Sequence, residues 1–148
     1  SIALIHAGGA GREVAGLILM APHVFVEDLS IASIAQAKVA FETTDLGQKL
    51  GKYHRDPVKT FRGWNDIWLH PDFRAWNIEE VLPHVTCPVL AIQGEDDEYG
   101  TPAQVEAIRR QAKGEVEVLM LADCRHSPHK DQPQATLEAM AGFIERIG

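Results

Sequence analysis

The chain has 148 residues, of which 45% are hydrophobic and 24% are charged, as is usual for one globular domain with a sizeable core. Its formal net charge is −7 and it has no stripe of lysine and arginine, which argues against nucleic acid as a partner. No apolar run approaches the ~20 residues that cross a bilayer, so the sequence predicts no membrane partner.

The amino terminus and the cysteines indicate in which cellular compartment the protein is expected. Residues 1–6 lack the basic segment and the long apolar stretch of a signal peptide. Cys87 and Cys124 are far apart and have no CxxC spacing, which indicates neither a disulfide framework nor a zinc site. We therefore expect reduced thiols and a cytoplasmic protein.

Three segments have the pattern of buried strands: residues 14–20, 89–92 and 116–121. The first two are almost continuously apolar, which is typical of strands that are covered on both faces of a parallel sheet. Helical patterns follow the second and third strands. This alternation predicts an α/β fold with a parallel sheet and right-handed crossovers.

Residues 27–85, between the first two strands, contain helical patterns and no clear strand. Apolar residues 31–39 suit one helix, and a second helix is expected to begin at Asp56 and Pro57 and to run through Trp68. A short piece at residues 78–82 precedes a proline. We therefore expect a helical insertion at 27–85 and an α/β core formed by 1–26 and 86–148.

Two helix starts are predicted in the last third of the chain. Residues 101–104 read Thr-Pro-Ala-Gln, a capping box with Thr101 as the N-cap and Gln104 at N3. A last helix is expected to open at residues 131–134. Its predicted apolar stripe consists of Leu137, Met140, Ile144 and Ile147.

Polar loops follow the second and third predicted strands, at residues 94–101 and 123–131. Ligands bind at the carboxyl ends of the strands in open α/β sheets, and neighbouring strands lie ~4.8 Å apart. An acid in the first loop could therefore accept a hydrogen bond from an imidazole in the second. Such a pair fixes the tautomer of the ring and stabilises an imidazolium.

These loops resemble those of the α/β-hydrolases. Residues 88–97 end in G-x-x-D like the acid-bearing strand of that family, and residues 126–133, His-Ser-Pro-His-Lys-Asp-Gln-Pro, resemble its histidine loop. The order of acid and then histidine also matches the family order of Ser, Asp and His. The resemblance covers the whole chain: residues 1–7 look like the helix after the nucleophile, residues 14–22 like the next strand, and the insertion stands where the family has its cap domain.

The resemblance implies that Asp97 is the triad acid and His126 the general base. Asp96 and Glu95 are alternatives for the acid, and His129 is an alternative for the base. A metal site formed by Asp123, His126 and His129 is also conceivable, but a further ligand is not evident in the sequence, so we predict no metal.

One residue departs from the family pattern. The family usually has glycine just before the histidine, whereas this chain has Arg125. A side chain at this position could disturb the turn, and its positive charge could lower the pKa of the imidazole.

Aromatic and imidazole side chains are candidates for contacts with a substrate. Trp64 and Trp68 lie in the predicted insertion at helical spacing, where they serve either as core or as pocket lining. His23 and Phe25 leave the first strand at its carboxyl end and could line the same cleft.

The nucleophile is missing from this sequence. No G-x-S-x-G occurs, and none of the four serines follows a predicted strand-to-helix elbow. The resemblance implies that the serine and the oxyanion hole lie upstream of Ser1, in a hydrolase of carboxylic esters or related acyl substrates that needs no cofactor. The chain alone is then expected to be inactive. The alternatives are a non-catalytic binding protein of the same fold and an inactive truncation product.

The missing upstream strand has a structural consequence. In the family, the strand that carries the nucleophile lies beside the strand predicted at residues 14–20. Without it this strand has an open edge, which predicts a homodimer or a larger assembly.

Overall fold

A computed structural model gives the fold, and it describes residues 1–9 and 13–148. These residues form two compact units. The first combines Ser1–Phe25 with Asn77–Gly148, and the second is Val26–Trp76. No helix within the described ranges is both long enough and apolar enough to cross a membrane.

The first unit is built on a parallel sheet of three strands, which confirms the predicted α/β class. The strands are β1 (Leu17–Met20), β2 (Val89–Gly94) and β3 (Val116–Leu121), and they lie in the order β1-β2-β3. All six residues of the central strand β2 are buried. The helices of this unit are α1 (Ile2–Ala7), α5 (Ala103–Gln111), α6 (Pro128–Asp131) and α7 (Pro133–Ile147).

One part of the core of the first unit lies between the sheet and α7. Leu90 and Ile92 of β2 pack with Phe143 of α7 and with Cys124, which is completely buried. Because side chains alternate along a strand, Val89 and Ala91 point to the other face of the sheet.

Strand β1 is shorter than predicted. Residues 14–20 were expected to form it, but it begins at Leu17, whose N–H donates to the carbonyl of Pro88 at 2.9 Å. Leu17 is opposite Val89, the first residue of β2. Pro88, which precedes Val89, has no N–H group. It therefore cannot donate the next hydrogen bond that would extend the pairing of β1 with β2 toward residue 14.

The predicted N-cap of the helix after β2 is one residue too early. Helix α5 begins at Ala103 with Pro102 as its N-cap, and the Thr101 hydroxyl accepts a hydrogen bond from the Ala103 N–H at 3.2 Å. The Gln104 Oε1 accepts from the Val24 N–H at 2.8 Å, so this side chain makes a contact with a residue 80 positions away in sequence.

The apolar stripe predicted for α7 is half correct. Met140 and Ile147 pack against the core, but Leu137 and Ile144 are exposed. The buried positions are Thr136 and Phe143, so the buried face is turned by one residue from the predicted one.

The second unit is helical. It contains α2 (Asp28–Thr43), α3 (Leu46–Gly51), α4 (Pro57–Trp68) and a 3₁₀ helix, Pro71–Ala75. Helix α4 begins as expected, since Asp56 Oδ1 accepts from the Lys59 N–H at 2.9 Å. Asn65 of α4 is buried and donates to the Ile34 carbonyl of α2 at 2.9 Å.

The boundary after the insertion differs from the expected one. Residues 77–85 were expected in the insertion, but they belong to the first unit. Within them the 3₁₀ helix Glu79–His84 contacts α1 and α5. Leu82 and Val85 are completely buried, and burial of these side chains keeps the segment on the core.

Candidate active site

Two loops meet at the carboxyl ends of β2 and β3. We call residues 95–100 the acid loop and residues 122–127 the histidine loop. The acid loop donates to the histidine loop and to β3: the Asp96 N–H to the Cys124 carbonyl at 3.0 Å, and the Glu95 N–H to the Leu121 carbonyl at 2.9 Å. Backbone hydrogen bonds therefore fix the separation of the two loops before any side chain contributes.

Asp97 and His126 form a hydrogen-bonded pair between these loops. Asp97 Oδ1 lies 2.9 Å from His126 Nδ1. The Asp97 side chain is 1% exposed, whereas that of His126 is 35% exposed. An ionised carboxylate can only accept, so Nδ1 carries the proton and Nε2 is left with a lone pair that can accept another.

Further donors hold the Asp97 carboxylate in place. Oδ1 also accepts from the Tyr99 N–H at 2.9 Å and from the Gly100 N–H at 3.3 Å. Oδ2 accepts from the side-chain amide of Gln93 at 3.3 Å. Gln93 is itself completely buried and donates to the Gly100 carbonyl at 2.7 Å. The carboxylate is therefore oriented by groups from both β2 and its own loop.

The pKa of Asp97 reflects two opposed effects. Burial raises it, because the charged form is poorly solvated. The hydrogen bond from His126, the Tyr99 N–H, the charge of His126 and the Gln93 amide all lower it, and together they hold the pKa below its ordinary value. Asp97 is thus an ionised partner for an imidazole at neutral pH.

The turn accommodates Arg125 without backbone strain. Among the described residues other than glycine, only Ala21 and Asp123 have a positive φ, so position 125 does not need the conformational freedom of glycine. The Arg125 guanidinium lies 3.1 Å from Glu98 Oε1, and its N–H donates to Asp131 Oδ2 at 2.9 Å. The expected disturbance of the turn is not observed.

Two rings flank His126. The Tyr99 ring approaches it edge to face, with a centroid separation of 4.9 Å, and the His23 ring lies 5.8 Å away. Burial and the neighbouring Glu98 raise the pKa of Tyr99. Of the residues predicted to contact a substrate, the structure thus places His23 beside His126.

The other predicted substrate contacts, Phe25, Trp64 and Trp68, each have packing or hydrogen-bond partners of their own. Phe25 forms an antiparallel bridge with Asn77, and Gln104 accepts from its N–H at 3.4 Å and donates to its carbonyl at 3.2 Å. Trp64 and Trp68 belong to the second unit. There Trp64 contacts Phe61, and Trp68 packs with Phe73 and Trp76.

Solved structures with this arrangement of strands and helices are α/β-hydrolases. MGS-M2, an alpha/beta hydrolase enzyme from a Medee basin deep-sea metagenome library, matches 96% of the chain with a TM-score of 0.64 and 17% identity. A serine hydrolase involved in carbazole degradation matches 97% with a TM-score of 0.69 and 15% identity. A thermophilic esterase from Thermogutta terrifontis matches 99% with a TM-score of 0.61 and 16% identity.

The chain has the α/β-hydrolase fold. This confirms the resemblance seen in the sequence. No protein-family model matches the chain, and no curated protein matches it. The chain spans 60%, 58% and 61% of the length of the three structures named above, and 54% of a membrane phospholipase A that matches with a TM-score of 0.68. The three parallel strands and their helices are therefore part of the α/β-hydrolase fold.

Within the α/β-hydrolase fold, the structure separates the sequence candidates. Asp97 pairs with His126, while Glu95 and Asp96 have exposed side chains and His129 is exposed on α6. Among the described residues, no group of three or more His, Cys, Asp or Glu side chains is placed to hold a metal ion, so Asp123, His126 and His129 do not assemble into such a site.

Sequence reasoning missed three residues that contact the pair. Gln93 had a detectable signal, since it is a polar residue at the end of an almost wholly apolar strand. Tyr99 and Glu98 had no detectable signal in the sequence. An acidic turn that is exposed to solvent has the same composition as one that contacts a histidine. Their contacts depend on the position of the histidine loop, which the local sequence does not encode.

Proposed function

We propose that this chain supplies the acid and the general base of a serine hydrolase that acts on carboxylic esters or related acyl substrates. The observation that carries the proposal is the 2.9 Å hydrogen bond between buried Asp97 and His126 Nδ1. In this proposal the serine nucleophile and the oxyanion hole come from a part of the protein that precedes Ser1.

The position of Ser1 supports this arrangement. The Ser1 hydroxyl donates to the His23 carbonyl at 2.8 Å, and the His23 ring lies 5.8 Å from that of His126. A preceding segment would therefore enter the fold close to the base. This is where a nucleophile must lie for its proton to reach Nε2.

The proposed chemistry uses His126 twice. As the serine oxygen bonds to the acyl carbon, His126 Nε2 takes the hydroxyl proton, and Asp97 stabilises the imidazolium without itself being protonated. The imidazolium then gives the proton to the departing alcohol oxygen as the ester bond breaks. Water attacks the acyl-enzyme in the same way, with its proton passing through Nε2 to the serine.

The substrate class rests on the fold and on the nature of its neighbours. A serine hydrolase and an esterase are among the solved structures that resemble this chain. We propose His23 and Phe25 as substrate contacts on the first unit, and Trp64 and Trp68 on the second, which would act as a cap. No step of this chemistry requires a cofactor.

The test is hydrolysis of 4-nitrophenyl acetate by the natural protein that contains residues 1–148 together with its upstream segment. Asp97→Asn and His126→Ala are each expected to lower kcat by about 10⁴-fold. Asp96→Asn and His129→Ala are matched controls that change the same chemical groups at exposed positions. Full activity of His126→Ala would refute the proposal. The 148-residue chain alone is expected to show no turnover above its His126→Ala variant.

A further inference from the structure

We propose that Glu98 is a positioning residue that holds His126 in its catalytic orientation, a role that rests on the proposed function. Glu98 Oε2 accepts from the backbone N–H of His126 at 3.2 Å. Its other oxygen, Oε1, lies 3.1 Å from the Arg125 guanidinium. One carboxylate on the acid loop therefore binds two consecutive residues of the histidine loop.

The last two of the four consecutive acids in the acid loop bind different parts of His126. Asp97 binds the ring of His126 at Nδ1, and Glu98 binds its backbone at the N–H. Fixing one residue at its backbone and at its ring restricts the torsions between them, so the direction of Nε2 is determined. Preorganisation of this kind requires the supporting groups to be held rigidly.

A second carboxylate, that of Asp131, binds the backbone of the histidine loop. Asp131 Oδ2 accepts from the Arg125 N–H at 2.9 Å, so successive backbone N–H groups at 125 and 126 are bound by Asp131 and Glu98. The arginine that replaces the family glycine thus has partners for both its backbone and its side chain. Its guanidinium balances the charge that Glu98 brings near the imidazole.

The ion pair by itself contributes little stability. The Arg125 side chain is 67% exposed and that of Glu98 is 31% exposed, and exposed pairs are screened by water and salt. The effect of Glu98 should therefore appear in the geometry and protonation of His126 rather than in the free energy of unfolding of the protein.

Several charged or titratable groups face His126. They are Asp97, Glu98 and Tyr99 from the acid loop, Arg125 and Asp131 from the histidine loop and the helix after it, and His23 from the segment after β1. Removing the Glu98 charge leaves the Arg125 cation unbalanced and disfavours the imidazolium. Removing the Arg125 charge leaves the negative charge of Glu98 unbalanced and favours the imidazolium of His126.

The experiment compares Glu98→Ala, Glu98→Gln and Arg125→Gln in the natural protein that contains this chain, with Glu95→Gln as the control. Glu95 is exposed in the same loop, so its substitution makes the same change of charge without touching His126. Glu98→Ala is expected to lower kcat roughly 10- to 100-fold with little change in KM, because the base is misplaced. Glu98→Gln keeps an acceptor oxygen and should retain more activity.

The pH profile of kcat/KM separates positioning from a general loss of structure. The acid limb of Glu98→Gln should move to lower pH and that of Arg125→Gln to higher pH, whereas Glu95→Gln should follow the wild type. Opposite shifts are not expected from partial unfolding, and circular dichroism confirms that each variant is folded. A Glu98→Ala variant with wild-type kcat and an unshifted profile would overturn the proposal.

A second readout does not depend on activity. Amide hydrogen exchange of His126 in the 148-residue chain should accelerate in Glu98→Ala and remain unchanged in Glu95→Gln. If the natural protein proves inactive, so that the proposed function fails, this measurement still decides whether Glu98 holds the His126 backbone. Unchanged exchange of the His126 amide would overturn that part independently.

Discussion

A Cβ atom at Gly94 would lie 2.0 Å from the carbonyl oxygen of Cys124. It would also lie 2.4 Å from the Arg125 carbonyl oxygen, and neither backbone oxygen can move without displacing the histidine loop. The glycine of the G-x-x-D pattern is therefore needed for its small size, because it allows the histidine loop to lie against the end of β2. That close approach is what brings His126 within reach of Asp97.

Replacing this glycine should damage both the fold and the pair. We expect Gly94→Ala to lower the free energy of unfolding by about 3 kcal/mol or more, since the added methyl group meets only backbone. Gly63→Ala is the matched control, because a Cβ there meets nothing within 4 Å and lies in α4. It should stabilise the protein by about 0.5–1 kcal/mol. Urea denaturation measures both, and equal effects of the two substitutions would contradict the expectation.

The Asp97 carboxylate should make the free energy of unfolding depend on pH in the acidic range. Its pKa is lowered in the fold, so its contribution is fully present above the unfolded value of about 3.9 and is lost as the pH falls through the folded value. The difference in unfolding free energy between the wild type and Asp97→Asn should therefore be larger at pH 6 than at pH 3. Asp96→Asn, at an exposed position, should show a smaller change. A difference for Asp97→Asn that grows in acid would contradict this sign.

The buried side chain of Gln104 should be important for the segment that follows β1. It accepts from the Val24 N–H at 2.8 Å, and Val24 is itself completely buried. Gln104→Ala leaves that N–H without its acceptor, so we expect a loss of about 1–3 kcal/mol in thermal or urea unfolding. Gln36→Ala, at an exposed position of α2, should change stability by less than about 0.5 kcal/mol. Similar losses in the two variants would show that Gln104 has no special role.

Strand β1 should promote self-association of the 148-residue chain. Leu17 and Ala21 donate toward β2, so the N–H groups of Ile18 and Met20 point to the opposite edge, which pairs with no strand among the described residues. We expect light scattering to detect a dimer or a larger assembly. Met20→Lys places a charge at this edge, where Met20 is 42% exposed, and should shift the population to monomer. A wild-type chain that remains monomeric at high concentration would contradict the expectation.

The elements that were predicted correctly have local signals. The strand β3 and the helix start at Asp56 were predicted as they are found, and the loops after β2 and β3 were identified from strand ends followed by polar residues. Adjacent parallel strands then require these loops to be neighbours, so the pairing of Asp97 with His126 could be inferred without coordinates.

The predictions that failed depended on distant partners. The sequence assigned Gln104 to a local capping box and did not reveal its bond to the Val24 N–H, 80 residues away. In α7 the apolar residues allow two faces one residue apart, and the packing of Phe143 against Leu90 decides between them. Glu98 was not singled out within the polar loop at residues 94–101, because its partner is 28 residues away in sequence.

The path of the chain at Phe25 and Asn77 makes the insertion separable. These residues form an antiparallel bridge, and the Ile78 N–H donates to the Val24 carbonyl at 2.8 Å, so the polypeptide leaves the first unit and returns to it at one point. Residues opposite each other in such a pair are about 5 Å apart, a gap that a short hairpin turn spans. Residues 26–76 could therefore be exchanged for another helical module, or for a tight turn, without rebuilding the sheet. Evolution could in this way replace the helical insertion while the sheet and the Asp97–His126 pair stay unchanged.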